Sequence, residues 1–94
     1  MSEPDYLLSL TTDAAGQQVF LHTDAAGLEH LIGSLARLRG KLDQGRSDHD
    51  HMMTDAWAGE ELSTAQPADG ERAVQHLKIW AWTADDARKH HVKA

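Results

Sequence analysis

A chain of 94 residues with 40% apolar and 26% charged side chains has the makeup of one globular domain, which at this size buries roughly 60 to 65% of its unfolded surface and has little room for a second core or a deep enclosed active site. Fifteen acidic against nine basic side chains give a net charge of −6 with neutral histidine, which disfavours nucleic acid and favours encounter with a basic partner, although acidity also serves solubility alone. The absence of cysteine excludes disulfides, thiolate metal sites and thiol catalysis.

The start, "MSEPDYLL", has neither the basic n-region nor the apolar h-region of a signal peptide, and no apolar run approaches membrane-spanning length. A cytoplasmic protein is therefore expected, as a single domain over 1–94 with residues 1–5 loose, a core at 6–82 and a tail at 83–94. "YLLSLTT" (6–12) and "QQVFLHT" (17–23) are β-compatible runs separated by Asp13-Ala14-Ala15-Gly16, and together they read as a hairpin. The pentapeptide "TDAAG" recurs at Thr23 to Gly27, but there it precedes Leu28, Leu31, Ile32, Leu35, Leu38 and Leu42 at helical spacing. Glu29, His30, Arg37, Arg39 and Lys41 fall largely on the other face; Asp24 suits the N-cap, and the helix should end between Lys41 and Gly45. The shared five residues serve one turn and one helix start, so no repeat architecture is expected.

The stretch "SDHDHMMTDAWAGEEL" (47–62) reads as a strand over His49 to Thr54 and a shorter one around Glu60 to Ser63. "STAQPADGERA" then marks a loop, and "AVQHLKIWAW" (73–82) is the strongest strand signal in the chain. Its alternation places Leu77, Ile79 and Ala81 towards the helix, and His76, Lys78, Trp80 and Trp82 on the opposite face. The tail opens with a capping-box-like Thr83-Ala84-Asp85-Asp86 and closes with Arg88, Lys89, His90, His91 and Lys93, so its charges suit a short helix.

His49 and His51 project from one strand face within chelating reach of one ion. A third ligand from His76, His22, Asp55, Glu60 or Glu61 depends on the fold, and a hydrogen-bonded or solvated histidine strand explains the same pattern without metal. The cupin and metallo-β-lactamase arrangements fail on motif spacing and chain length respectively. Asp48 and Asp50 flank the histidines but alternate to the opposite face, so they should perturb the imidazoles only modestly. There is no Gly-x-Ser-x-Gly elbow, phosphate-cradling glycine loop or His-Glu-x-x-His, and adjacent Glu60 and Glu61 cannot simply share acid-base work, so neither catalysis nor a cofactor is expected. Trp57, Trp80 and Trp82 either lie under the tail or the 55–70 loop, or form a partner or homodimer surface.

"DHDHMMTDAWAGEELS" followed by "HLKIWAW", preceded by "GLEHLIGSLARL", resembles the small immunity protein family numbered thirty-two of bacterial polymorphic toxin systems. The resemblance covers roughly residues 19 to 82 and rests on Gly27, Leu28, His49, His51, Met53, Thr54, Trp57, Gly59, Glu60, Leu62, His76, Lys78, Ile79 and Trp80. No one of these motifs is diagnostic, and the segments at both ends depart from the pattern. The resemblance implies a non-enzymatic protein that neutralises a toxin domain in the cytoplasm of its producer. The residues themselves give an α+β fold, one amphipathic helix on a mostly antiparallel sheet of about five short strands in the order ββαβββ, with a short C-terminal helix as an optional last element. The expected partner-binding residues are His49, His51, Trp57, Glu60, His76, Trp80 and Trp82. The alternatives are a metal-binding protein using His49, His51 and His76, and a homodimer that buries the tryptophans.

Overall fold

The computed structural model describes residues 4–90. The chain runs β1 (Leu8–Asp13), β2 (Val19–Thr23), α1 (Ala25–Asp43), β3 (Asp48–Met53), a 3-10 turn (Asp55–Trp57), β4 (Glu71–Ala73), β5 (His76–Ala81) and α2 (Ala84–His90). The fold is α+β, in the expected ββαβββ order with a short C-terminal helix. Residues 1–3 of the start read as loose, and 91–94 of the tail with His91 and Lys93, lie outside the described residues. Among the described residues no helix is long and apolar enough to cross a membrane.

The five strands pair antiparallel but divide between two sheets, β2-β1-β4 and β3-β5. The run read as one strand from Ala73 to Trp82 is what joins them. Ala73 still pairs with Thr11, and the Val74 N–H still donates to the Leu10 carbonyl at 3.0 Å. One residue later the Gln75 carbonyl accepts the Thr54 N–H at 3.0 Å, and the chain continues as β5 against β3.

The expected strand at Glu60 to Ser63 is not one. Ala58 adopts φ 65, and Gly59 packs so tightly that a Cβ there would overlap the Met53 carbonyl, which folds the chain back against β3. The segment then bonds outward in several directions: the Glu61 carbonyl accepts the Tyr6 hydroxyl at 2.8 Å, the Leu62 N–H donates to the Met53 carbonyl at 3.1 Å and the Ser63 N–H to the Leu8 carbonyl at 2.9 Å. Ser63 Oγ also accepts the Leu8 N–H at 2.9 Å, so this turn bridges the sheets instead of adding a rung to either.

The two copies of "TDAAG" both work through their aspartate. Asp13 Oδ1 accepts the Gln17 and Gln18 N–H groups at 2.7 and 3.1 Å, closing the hairpin with Gly16 at φ 73. Asp24 Oδ1 accepts the Gly27 N–H at 2.8 Å and caps α1, a contact that stabilises a helix by about 1 kcal/mol. At the other end the Arg46 N–H donates to the Lys41 carbonyl and the Gly45 N–H to the Leu42 carbonyl, with Gly45 at φ 76, which completes a Schellman stop. The α2 cap is built with help from β3's approach: Thr83 Oγ1 accepts the Asp86 N–H, while Ser47 Oγ accepts the Thr83 N–H at 2.9 Å and donates to the Asp86 carboxylate at 2.5 Å.

The helix is rotated relative to its apolar stripe. Gly27, Ser34 and Leu38 are buried and Leu31 packs on the core, whereas Leu28, Ile32 and Leu35 are 45%, 49% and 46% exposed. Two contacts set the rotation. Gly27 approaches the Leu7 carbonyl so closely that a Cβ would overlap it, and Ser34 and Arg37 are held by Asp50 of β3. The core is consequently small, Leu8, Leu10, Met52 and Leu62 with Tyr6, Leu31, Val74, Leu77 and Ile79 packed around it. A radius of gyration of 14.9 Å, against roughly 12 Å for a compact chain of this length, describes the same thinness.

Candidate binding face

The second sheet shows its two sides clearly. Its register sets His49 opposite Trp80, His51 opposite Lys78 and Met53 opposite His76, and puts all six on one face. Asp50, Met52, Leu77 and Ile79 occupy the other, against α1 and the core. The sorting expected from alternation therefore holds on both strands.

On the outer face the rings form a continuous chain. Trp57 stands 6.0 Å from His76, His76 stacks on His51 at 5.1 Å, His51 meets His49 edge-on at 4.9 Å, and His49 lies 4.5 Å from Trp80. Trp80 stacks on Trp82 at 4.6 Å with planes 8° apart, and His90 of α2 lies 5.6 Å beyond Trp82. The Lys78 ammonium sits 4.8 Å from the Trp80 ring centroid, within cation–π range. The 3-10 turn thus closes one end of the face and α2 the other, while Trp57 and Trp80 stay 56% and 43% exposed. Of the expected binding residues only Glu60 stands apart, on the exposed turn after Gly59 with its N–H donating to Glu61 Oε2 at 3.3 Å.

His51 Nδ1 and His76 Nε2 are 2.8 Å apart, a hydrogen bond in which one ring must donate and the other accept. Two nitrogens on a tetrahedral zinc, each at about 2.05 Å, would stand roughly 3.3 Å apart, so this pair is set for mutual hydrogen bonding. His22 lies on β2 in the other sheet, Glu61 is committed to the Met53 N–H at 3.1 Å, and among the described residues no group of three His, Cys, Asp or Glu is arranged to hold an ion.

His51 also has an electrostatic signature. Withdrawal from water, then the Lys78 ammonium and the neighbouring imidazoles of His49 and His76, hold the His51 pKa below its ordinary 6.5, against a weaker opposing pull from Asp50. A depressed folded-state value means that the stability carried by neutral His51 is complete above 6.5 and is lost as pH falls through the folded value. An NMR titration should give His51 a midpoint below 6.5 that rises when Lys78 is replaced by Gln; a midpoint at or above 6.5 would contradict a neutral His51.

The carboxylates of "SDHDH" have a role that spacing did not disclose. β3 is an edge strand whose outward N–H groups belong to His49, His51 and Met53, and each is taken by a carboxylate: Asp48 at 2.8 Å, Asp50 at 3.0 Å and Glu61 at 3.1 Å. This closes a row of donors that would otherwise invite another strand. Asp48 Oδ1 also comes within 3.9 Å of His49 Nδ1, nearer than strict alternation suggests. Behind the sheet, Asp50 Oδ2 accepts from Ser34 Oγ and pairs with Arg37 at 2.7 Å. Partial burial pushes the Asp50 carboxyl up, but the Ser34 and Arg37 hydrogen bonds, the guanidinium charge and the His51 N–H together hold it below the usual aspartate value. The signal was present in the sequence: a charged residue on a core-facing strand position requires partners, and Ser34 and Arg37 share a helix face three residues apart. A cleft of about 330 Å³ opens on this rear side between Glu29, His30, Gly33, Ser34, Arg37 and Asp50, away from the ring chain.

Fold and face define a small α+β protein with a ring-paved sheet surface. Comparison of the chain with protein-family models, with curated proteins and with solved structures finds no match in any of the three.

Proposed function

We propose that the protein is a non-enzymatic binding protein of immunity type that neutralises a basic toxin domain in the cytoplasm of its producer. The observation that carries this reading is the continuous ring surface, on which Trp57 and Trp80 remain half exposed although each already lies against a histidine ring. Tryptophans held rigid by their neighbours offer large contact area with little rotamer entropy left to lose, which is the usual makeup of a binding hot spot. Asp48 Oδ1 lies 3.9 Å from the His49 ring, so a basic partner would meet an aromatic centre with an acidic residue at its edge. The resemblance to the immunity family points the same way through the same residues.

The test is co-expression with the product of an adjacent toxin-like gene. Trp80→Ala should weaken the complex about 30-fold or more, the equivalent of roughly 2 kcal/mol, while circular dichroism of the free protein stays unchanged. Glu60→Ala should cost no more than about threefold, because an exposed charge set apart from the rings acts only at long range. Equal affinity for the parent, Trp57→Ala and Trp80→Ala proteins would remove this face from the interface. The metal reading is separated by metal analysis of protein purified without chelator, comparing the parent with His49→Ala/His51→Ala.

A further inference from the structure

The exposed side of α1 carries more apolar surface than the monomer uses. Leu28, Ile32 and Leu35 are about half exposed and follow one another at spacings of four and three, a straight seam along the helix. Arg39 continues the seam four residues further on, and its side chain is 77% exposed against Asp43 at 3.4 Å. Beside the seam lies Ala36, exposed and small enough to let a second helix approach.

We propose that α1 pairs with α1 of a second copy of this chain, antiparallel about a two-fold axis passing between Ile32 and Leu35. What selects a second copy is that the seam is self-complementary. Its N-terminal half carries Glu29 and its C-terminal half Arg39, so an antiparallel two-fold sets each Glu29 beside the partner's Arg39, and opposes the two helix dipoles. Ile32 then packs against Leu35 across the axis, twice. Arg39 exchanges a solvent-exposed intrahelical contact for one at the edge of an apolar seam. This surface lies on the opposite side of the molecule from the ring face, which stays free in the dimer; the proposal is independent of the immunity reading.

Sedimentation equilibrium from micromolar to millimolar protein tests it. The parent should approach twice the 10.4 kDa mass of one chain. Ile32→Glu, at a half-exposed position where folding is retained by circular dichroism, should raise the dimer Kd by roughly a hundredfold. Glu29→Arg and Arg39→Glu should each weaken the dimer by about threefold, and the double variant should recover the parent value, because the swap restores the antiparallel pairing. A monomer at every concentration overturns the proposal. So does a dimer indifferent to Ile32→Glu, in particular one that dissociates on Trp80→Ala, and so does a double charge variant weaker than both singles.

Discussion

Gly27→Ala is expected to destabilise the protein by about 3 kcal/mol or more, although alanine is the better helix former. The added methyl has nowhere to go. It would overlap the Leu7 carbonyl oxygen, and that oxygen is fixed because it accepts the Asp24 N–H at 3.1 Å, while Asp24 itself caps the helix through the Gly27 N–H. Relieving the clash means lifting the N-terminus of α1 from the start of β1, which undoes the cap and the helix rotation together. Gly33→Ala supplies the contrast: the same substitution in the same helix, where nothing lies within 4 Å, should stabilise the chain by about 1 kcal/mol. Urea denaturation of both variants, at protein concentrations low enough to hold the monomer, gives the comparison. Equal shifts in the midpoint would show that helix propensity dominates and that the close approach at Gly27 does not set the fold.

The hairpin, the helix limits, the two long strands and the division of β5 into ring and core faces were all legible, because each depends on local chemistry: a period of two, a capping aspartate, a glycine at positive φ. What could not be read depends on contacts between distant segments. The apolar stripe from Leu28 to Leu42 points to one buried face, yet Gly27 against Leu7 and Ser34 against Asp50 turn the helix so that Leu28, Ile32 and Leu35 face out. Glu60 to Ser63 has the composition of a strand, but the tight turn at Gly59 spends its hydrogen bonds on two different sheets. The run from Ala73 to Trp82 is continuous in pattern and still divides at Gln75, since no local signal says which sheet an extended residue will join. On the ring face, alternation was enough to bring five of the seven expected binding residues together, and the 3-10 turn added Trp57. The resemblance points to Glu60, whereas it is the Glu61 carboxylate that is built into the β3 edge.

Asp50→Ala should cost about 2 to 3 kcal/mol, because one carboxylate accepts from Ser34, Arg37 and the His51 N–H at once, and hydrogen bonds to a charged group contribute more than neutral ones. Asp50→Asn should cost about half of that: the amide oxygen can still accept one of the three, but the charge facing Arg37 is gone. The folded-state pKa of Asp50 is depressed, so its contribution is complete above the ordinary aspartate value of 3.8 and is lost as pH falls through the lower folded value. The two variants should therefore show a shallower fall in stability on the acid side than the parent. A parallel fall in all three would mean that Asp50 titrates alike in the folded and unfolded chain. The consequence reaches the ring face without touching it. Asp50 ties β3 to α1 from behind while its neighbours His49 and His51 are displayed in front, so loosening that tie lets the strand shift against β5 and misaligns His49 with Trp80. On the proposed binding reading, Asp50→Ala should then weaken the complex less than Trp80→Ala and mainly by slowing association, since the ring face is intact but less often assembled. An unchanged association rate together with lost stability would separate the scaffold from the face and make Asp50 purely a support of the fold.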